Sequence, residues 1–304
     1  MGDLQMWKYV MLVLAAGCSL GSLSTITKIG ITRGFSVGEL LAGQFVIGWL
    51  ILLVLLLIFK QKPSFKGVKF LLIGGAMIGC VSIFYTLAVS KLPASIAVLL
   101  LFQFTWIGIV IDSLYQKKWP DLKTFFSVSI LLIGTILASG IIGSEKIAYD
   151  PTGIMLGLLS AICFAMYIFI MDKTSAEVPA IQKSFFMVTV AGILVLTTFS
   201  PGSLLYGGLS LEWTLFGFFL AILGNIFPVL FMAIGVPKVG SSVGTILSSS
   251  ELPAAVFLSA IILHEAVHMI QWFGVFLVLA GIVISQWDVF GESKSKKNSI
   301  ILDN

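Results

Sequence analysis

The sequence predicts an all-α integral membrane protein, with ten transmembrane helices arranged as two inverted five-helix repeats. Three observations lead there: too few charges to coat a water-facing surface, ten apolar runs of membrane-spanning length, and a self-similarity at a fixed offset that links the two halves. Of 304 residues, 58% are apolar and 11% charged, and mean hydropathy is +1.09. Soluble domains carry about 25% charged residues; a lipid-facing exterior removes that requirement. The formal charge of +4 is small and its cations are scattered over short links. That argues against a nucleic-acid partner, which needs a clustered basic stripe.

A helix needs about 20 mainly apolar residues to cross a bilayer. Such runs lie near 9–27, 37–59, 69–89, 94–114, 123–142, 152–171, 184–200, 213–234, 241–263 and 271–289, with 184–200 and 123–142 the weakest. The first is expected to be a retained helix rather than a cleaved signal, because it is long and many spans follow. Turn formers separate the runs: Lys62-Pro63, Trp119-Pro120, Asp150-Pro151 and Ser200-Pro201-Gly202. Continuous apolar runs exclude the alternating strands of a membrane barrel. Trp7, Trp119, Trp213, Trp272 and Trp287 fall near span ends and are expected to anchor at the interface. Cys18, Cys80 and Cys163 sit in apolar runs with unrelated spacing and read as small buried hydrophobes, neither a disulfide frame nor a metal set.

Cation placement predicts the orientation. With both termini cytoplasmic, the inner segments hold Lys8, Lys60, Lys62, Lys66, Lys69, Lys117, Lys118, Lys123, Lys173, Lys183, Lys238, Lys294, Lys296 and Lys297, against Lys28, Arg33, Lys91 and Lys146 outside. Fourteen against four is a positive-inside bias. Two inward termini require an even number of spans, in agreement with ten.

A shift of 147 lays Phe84–Ser95 on Phe231–Ser242 without a gap, matching Lys91 with Lys238 and Ser95 with Ser242, and it matches Gly134 with Gly281. A shift of 145 pairs Cys18 with Cys163 and Lys28 with Lys173. The expected organisation is a first repeat over 1–146, a second over 147–290 and a cytoplasmic tail over 291–304. Five is odd, so the halves must enter the membrane from opposite sides. Inverted repeats recur in transporters, because exchanging two near-equal conformations exposes one central site to each side in turn.

The chain resembles the drug/metabolite transporter superfamily, in its EamA-type branch of ten-helix permeases. The resemblance rests on the five-plus-five layout, the links Ala88–Ser95 and Gly235–Ser242, the Glu251-Leu-Pro253 step, and the ending His264-Glu265, Trp272-Phe-Gly274 and Gly281. It implies a secondary carrier in a cytoplasmic membrane with a central cavity between the halves, and it implies no particular substrate. The first half departs from the pattern, with Phe104 and Trp106 where the second has Glu251 and Pro253. Any acidic role is therefore expected in one half only.

Glu251 is the sharpest candidate for chemistry. It lies eleventh in the 241–263 run, near the bilayer centre, where an acid costs on the order of 3 kcal/mol to insert. Such a residue persists when protonated, paired or facing a wet cavity, and intramembrane acids are functional by default. Pro253 removes the usual helical donor of the Ser249 carbonyl and is expected to break the helix. The hydroxyls of Ser248, Ser249 and Ser250 are placed to satisfy the freed backbone. Gln44, Trp49, Tyr85, Gln103, Trp106, Tyr167 and Asn225 are further cavity candidates, and each is equally explained as interhelical glue or filler. Asp112, beside Lys117 and Lys118, is expected in an interfacial ion pair. Glycine pairs at 17/21, 75/79, 153/157 and 240/244 let helices approach closely.

His264-Glu265-Ala-Val-His268 matches the H-E-x-x-H string of zinc proteases. That makes an intramembrane metalloprotease the alternative class. The string falls in a short outer link, these are the only histidines, and a third zinc ligand is lacking, since Asp288 and Glu292 belong to the opposite face. No phosphate-cradling loop, nucleophile triad or ATPase domain is present, so no cofactor and no metal is expected. The expected partners are a small-molecule substrate and the lipid bilayer, with the protein a monomer or homodimer.

Overall fold

The computed structural model describes residues 3–60, 67–92, 94–140, 150–174, 177–199, 210–264 and 267–285. Every regular element among them is helical. The first repeat contributes α1 (Asp3–Thr32), α2 (Val37–Ile58), α3 (Val68–Val89), α4 (Ala94–Leu101), α5 (Phe104–Gln116) and α6 (Leu122–Ala138). The second contributes α7 (Pro151–Asp172), α8 (Ala180–Phe199), α9 (Leu211–Ala221), a π-helical turn (Ile222–Ile226), α10 (Phe227–Val239), α11 (Ser241–Ser248), α12 (Glu251–Ile262) and α13 (Met269–Ser285).

These segments make ten crossings. Eight spans are long and apolar enough to cross a membrane, with α4–α5, α9–α10 and α11–α12 each forming one of them. The other two are the shorter apolar helices α6 and α13. Local chemistry sets several starts. Ser36 accepts the Glu39 N–H while Glu39 reaches back, a capping box. Asp121 caps α6 through Thr124 N–H at 3.1 Å. Asp150 caps α7 through Thr152 N–H at 2.9 Å, with Pro151 in the first turn, where its missing donor costs nothing. The Thr152 N–H and then the Lys91 ammonium hold the Asp150 carboxyl below the usual carboxylate range. The π turn also has a local cause: Pro228 cannot donate to the carbonyl of Gly224, four residues back, and Phe227 N–H closes on Ile222 instead.

The two repeats pack about a pseudo-two-fold axis. α6 lies on α13, and there a Cβ on Gly134 would come within 2.8 Å of the Gly274 carbonyl, while one on Gly281 would come within 3.0 Å of the Ser127 carbonyl. Those contacts are mates under the 147-residue offset. Likewise α3 packs on α7 as α10 packs on α1, and α3 on α8 as α9 packs on α2. The offset read from the sequence is therefore a structural symmetry.

Some local expectations change. The fourth span is broken as well as the ninth, and the eighth carries the π turn. Trp213 is buried, and its indole donates to the Glu39 carbonyl at 3.0 Å, so it is a packing residue between α9 and α2 rather than an interface anchor. Trp119 is exposed, and Trp287 lies outside the described residues. Of the cysteines only Cys163 is buried; Cys18 is exposed and Cys80 half-buried. Gly240 does not serve a close helix contact: it holds φ 86° at the α10–α11 corner, where only glycine fits without strain.

Candidate site at the paired helix breaks

Both broken spans part at equivalent positions. α4 ends at Leu101 and α5 starts at Phe104; α11 ends at Ser248 and α12 starts at Glu251. The hydrogen bonds match one for one. Gln103 N–H donates to Leu100 O and Thr105 N–H to Phe102 O in the first half, as Ser250 N–H donates to Leu247 O and Leu252 N–H to Ser249 O in the second. Each break is a short 3₁₀-like tightening that redirects the helix.

This corrects the expected role of Pro253. The break precedes it, and an equal break forms in the first half, where Trp106 stands at the matching position. Pro253 occupies the third position of α12, where a missing N–H is harmless. The Ser249 carbonyl still finds a donor, Leu252 N–H at 3.3 Å.

The serines do serve the freed backbone. Ser249 N–H has turned to Ile246, leaving the Thr245 carbonyl open, and the Ser249 hydroxyl donates to that carbonyl at 3.4 Å. Ser248 donates to Gly244 O at 2.8 Å, and Ser250 reaches across to Leu14 O of α1 at 3.0 Å. The α1 face opposite carries Gly17 and Gly21. A Cβ on Gly17 would run into the Ser250 hydroxyl and come within 2.9 Å of the Ser248 carbonyl; one on Gly21 would meet the Glu251 carbonyl. The break therefore seats in a groove that only glycine leaves free.

Glu251, first residue of α12, is half-buried and makes no hydrogen bond or ion pair among the described residues. Tyr85 of α3, also half-buried, stands within electrostatic reach of it. Glu251 is an acid at a mid-span helix start, with a phenol nearby and no cation paired with it among the described residues.

The remaining candidates divide. Gln44 and Asn225 are buried and mutually satisfied: Gln44 Nε2 donates to Asn225 Oδ1 and Asn225 Nδ2 to Gln44 O, both at 3.1 Å. They glue α2 to the π turn. The Trp49 indole donates to Thr189 at 3.0 Å and its ring tilts against Phe185, binding α2 to α8. Tyr167 is buried, stacked on Phe164, with its hydroxyl unpartnered among the described residues. Trp106 donates to Gln103 at 2.8 Å and lies 41% exposed on one stripe with Val110 and Leu114, an arrangement suited to lipid.

Two polar sites escaped sequence reasoning. Asp112 makes no ion pair with Lys117 or Lys118; it is buried and accepts hydroxyls from Ser241 at 2.6 Å and Ser242 at 2.5 Å, and the Gln116 amide at 2.7 Å. Lys183, counted as a link cation, is buried at the start of α8 with its ammonium on Thr174 at 2.9 Å. Its neighbours Gln182 and Ser184 were the available signal, since three consecutive polar residues open an otherwise apolar run.

The zinc string gains no support from the geometry. His264 lies two residues beyond α12 at φ 53° and His268 precedes α13, so neither lies in a helix that would align the pair. Glu265 lies outside the described residues, among which no three metal-ligating side chains cluster.

A solved crystal structure superposes with a TM-score of 0.72 over 91% of this chain and 97% of its own, at 18% identity. Identity that low speaks to fold alone. None of the curated proteins compared matches the chain. The family model for EamA-like transporters matches twice, at residues 7–140 and 151–287, one match on each five-span repeat. With nearly the whole length covered by those two matches, the chain belongs to the EamA-like transporter family and is a multi-pass membrane transporter of the drug/metabolite type, not an enzyme.

Proposed function

We propose that this protein is a secondary carrier that moves a small organic solute across the cytoplasmic membrane by alternating access, with Glu251 binding the solute or carrying a coupling proton. The repeats divide near residues 146 and 147, and the lysine-rich links at Lys60, Lys117, Lys118 and Lys173 face the cytoplasm by the positive-inside bias. The observation that supports the site is the half-buried Glu251, without a hydrogen-bond or ion-pair partner among the described residues, at a mid-span break near Tyr85. A carboxylate held there for packing alone would be bonded to a neighbour, because leaving it unpaired in hydrocarbon is costly.

The test is uptake into proteoliposomes. Candidate solutes are first found by thermal shift on detergent-purified protein, since a ligand adds RT ln(1 + [L]/Kd) to stability. Glu251→Gln is expected to lose uptake or its pH dependence while keeping its melting behaviour. Unchanged rate and unchanged pH profile would remove Glu251 from the site. Impermeant labelling of cysteines at Lys60 and Lys173 from opposite faces would reject the topology.

A further inference from the structure

Symmetry-related contacts need not be equal in a given conformation of an inverted repeat. Most pairs here are matched, but several are not, among them the following four. α10 packs on α7 and on α8, and α11 packs on α5 and on α7. Their mates under the repeat are α3 on α1, α3 on α2, α4 on α12 and α4 on α1, and each of these makes at most marginal contact. The extra contacts include the chain end that carries Lys117, Lys173, Lys183 and Lys238. At these four pairs the lysine-rich end is closed, and the equivalent contacts at the other end are not made.

We infer that Asp112 is the latch that holds the lysine-rich end shut, through its carboxylate on the Ser241 and Ser242 hydroxyls. This rests on the alternating-access reading above. α5 and α11 come from opposite repeats and must separate for that end to open. Their interface is the Asp112 contact and, one turn deeper, Gly108 against Thr245, where a Cβ would come within 2.7 Å of the threonine hydroxyl. Ser241 and Ser242 begin α11, so the carboxylate also meets the positive end of that half-helix. Lys173 stands within electrostatic reach. A recess of about 350 Å³, lined by Asp112, Gln116, Trp119, Gly240 and Ser242, lies at the same end, where a pathway from that side would begin. The offset mates of these residues are Ser259 for Asp112, and Ala94 and Ser95 for the serine pair. No carboxylate is among them, so the repeat does not carry the Asp112 contact over to the opposite end.

The experiment reads accessibility without any substrate. In a background with Cys18, Cys80 and Cys163 replaced, Thr245→Cys probes the lysine-rich end and Ser259→Cys the opposite end, with impermeant maleimide applied to right-side-out and inside-out vesicles. Ser259→Cys should react from the outer side and Thr245→Cys little from the inner. Adding Asp112→Asn should speed Thr245→Cys labelling from the inner side about tenfold or more, the scale of losing charge-assisted hydrogen bonds, and slow Ser259→Cys. The milder Ser241→Ala/Ser242→Ala pair should act in the same direction, and monodisperse elution checks folding of both. Two folded variants with an unchanged labelling ratio overturn the latch and leave alternating access to its own uptake test. Equal acceleration of both probes means loosened packing and also overturns it.

Discussion

Gln103 and Ser250 stand 147 positions apart and hold one backbone conformation, φ −60° and ψ −14° at each. One is a glutamine ahead of Phe104 and the other a serine ahead of Glu251. Different side chains in the same geometry mean that the break is imposed by the packing of the repeat rather than by local residue preference.

Pro253→Ala should therefore leave the break in place. The expected cost is small, about 0.4–1 kcal/mol from the freer unfolded chain, which a thermal melt in detergent measures. A larger loss, or a labelling pattern of an unbroken ninth span, would return the break to the proline.

Gly21 faces the Glu251 carbonyl, and the Ala255 nitrogen lies 2.9 Å from where its Cβ would be. Both are backbone atoms that cannot rotate away. Gly21→Ala should lower stability by about 1–3 kcal/mol, the cost of overpacking, while Gly34→Ala, with open space around it but φ 96°, should lower it only through backbone strain. Equal stability of Gly21→Ala and the unaltered protein would contradict the seating of the break on α1.

The Gln44–Asn225 pair predicts non-additivity. Gln44→Leu leaves Asn225 Oδ1 unpaired while Nδ2 keeps the residue-44 carbonyl, and Asn225→Leu leaves the Gln44 side-chain amide unpaired; each alone should cost about 1–2 kcal/mol. The double variant should lose less than the sum of the two, because neither orphan then remains. Simple addition in the melting midpoints would show that the two residues do not act as a pair.

Asp150 predicts an acid limb. Its carboxyl is held low by Thr152 N–H and Lys91, so its contribution is present above the unfolded aspartate value and is lost as pH falls through the folded one. Asp150→Asn keeps the cap but removes this titration. The difference in melting temperature between the two proteins should shrink on acidification below the ordinary carboxylate range. A constant difference across that window would reject the assignment.

Much of this was legible in the chain. Ten apolar runs, the 147-residue offset and the acid at 251 are one-dimensional facts, and hydrophobic length and repetition survive folding because lipid demands a fully satisfied helical backbone in every span. The break in α4–α5 was hidden because Phe102 and Gln103 carry no breaker signal.

Partner choice was the other hidden layer. Sequence could place Gln44, Asn225, Trp49 and Asp112 inside spans but could not say whether each met a cavity or another helix, since helical periodicity fixes a residue's face and not what lies opposite. Packing settled those cases: Gln44 with Asn225, Trp49 with Thr189, Asp112 with Ser241 and Ser242. It left Glu251 without a partner among the described residues. Spans and their repetition were determined by the chain alone because insertion energy sums along it, whereas polar pairing depends on groups more than a hundred residues apart and was decided only when the two repeats closed on each other.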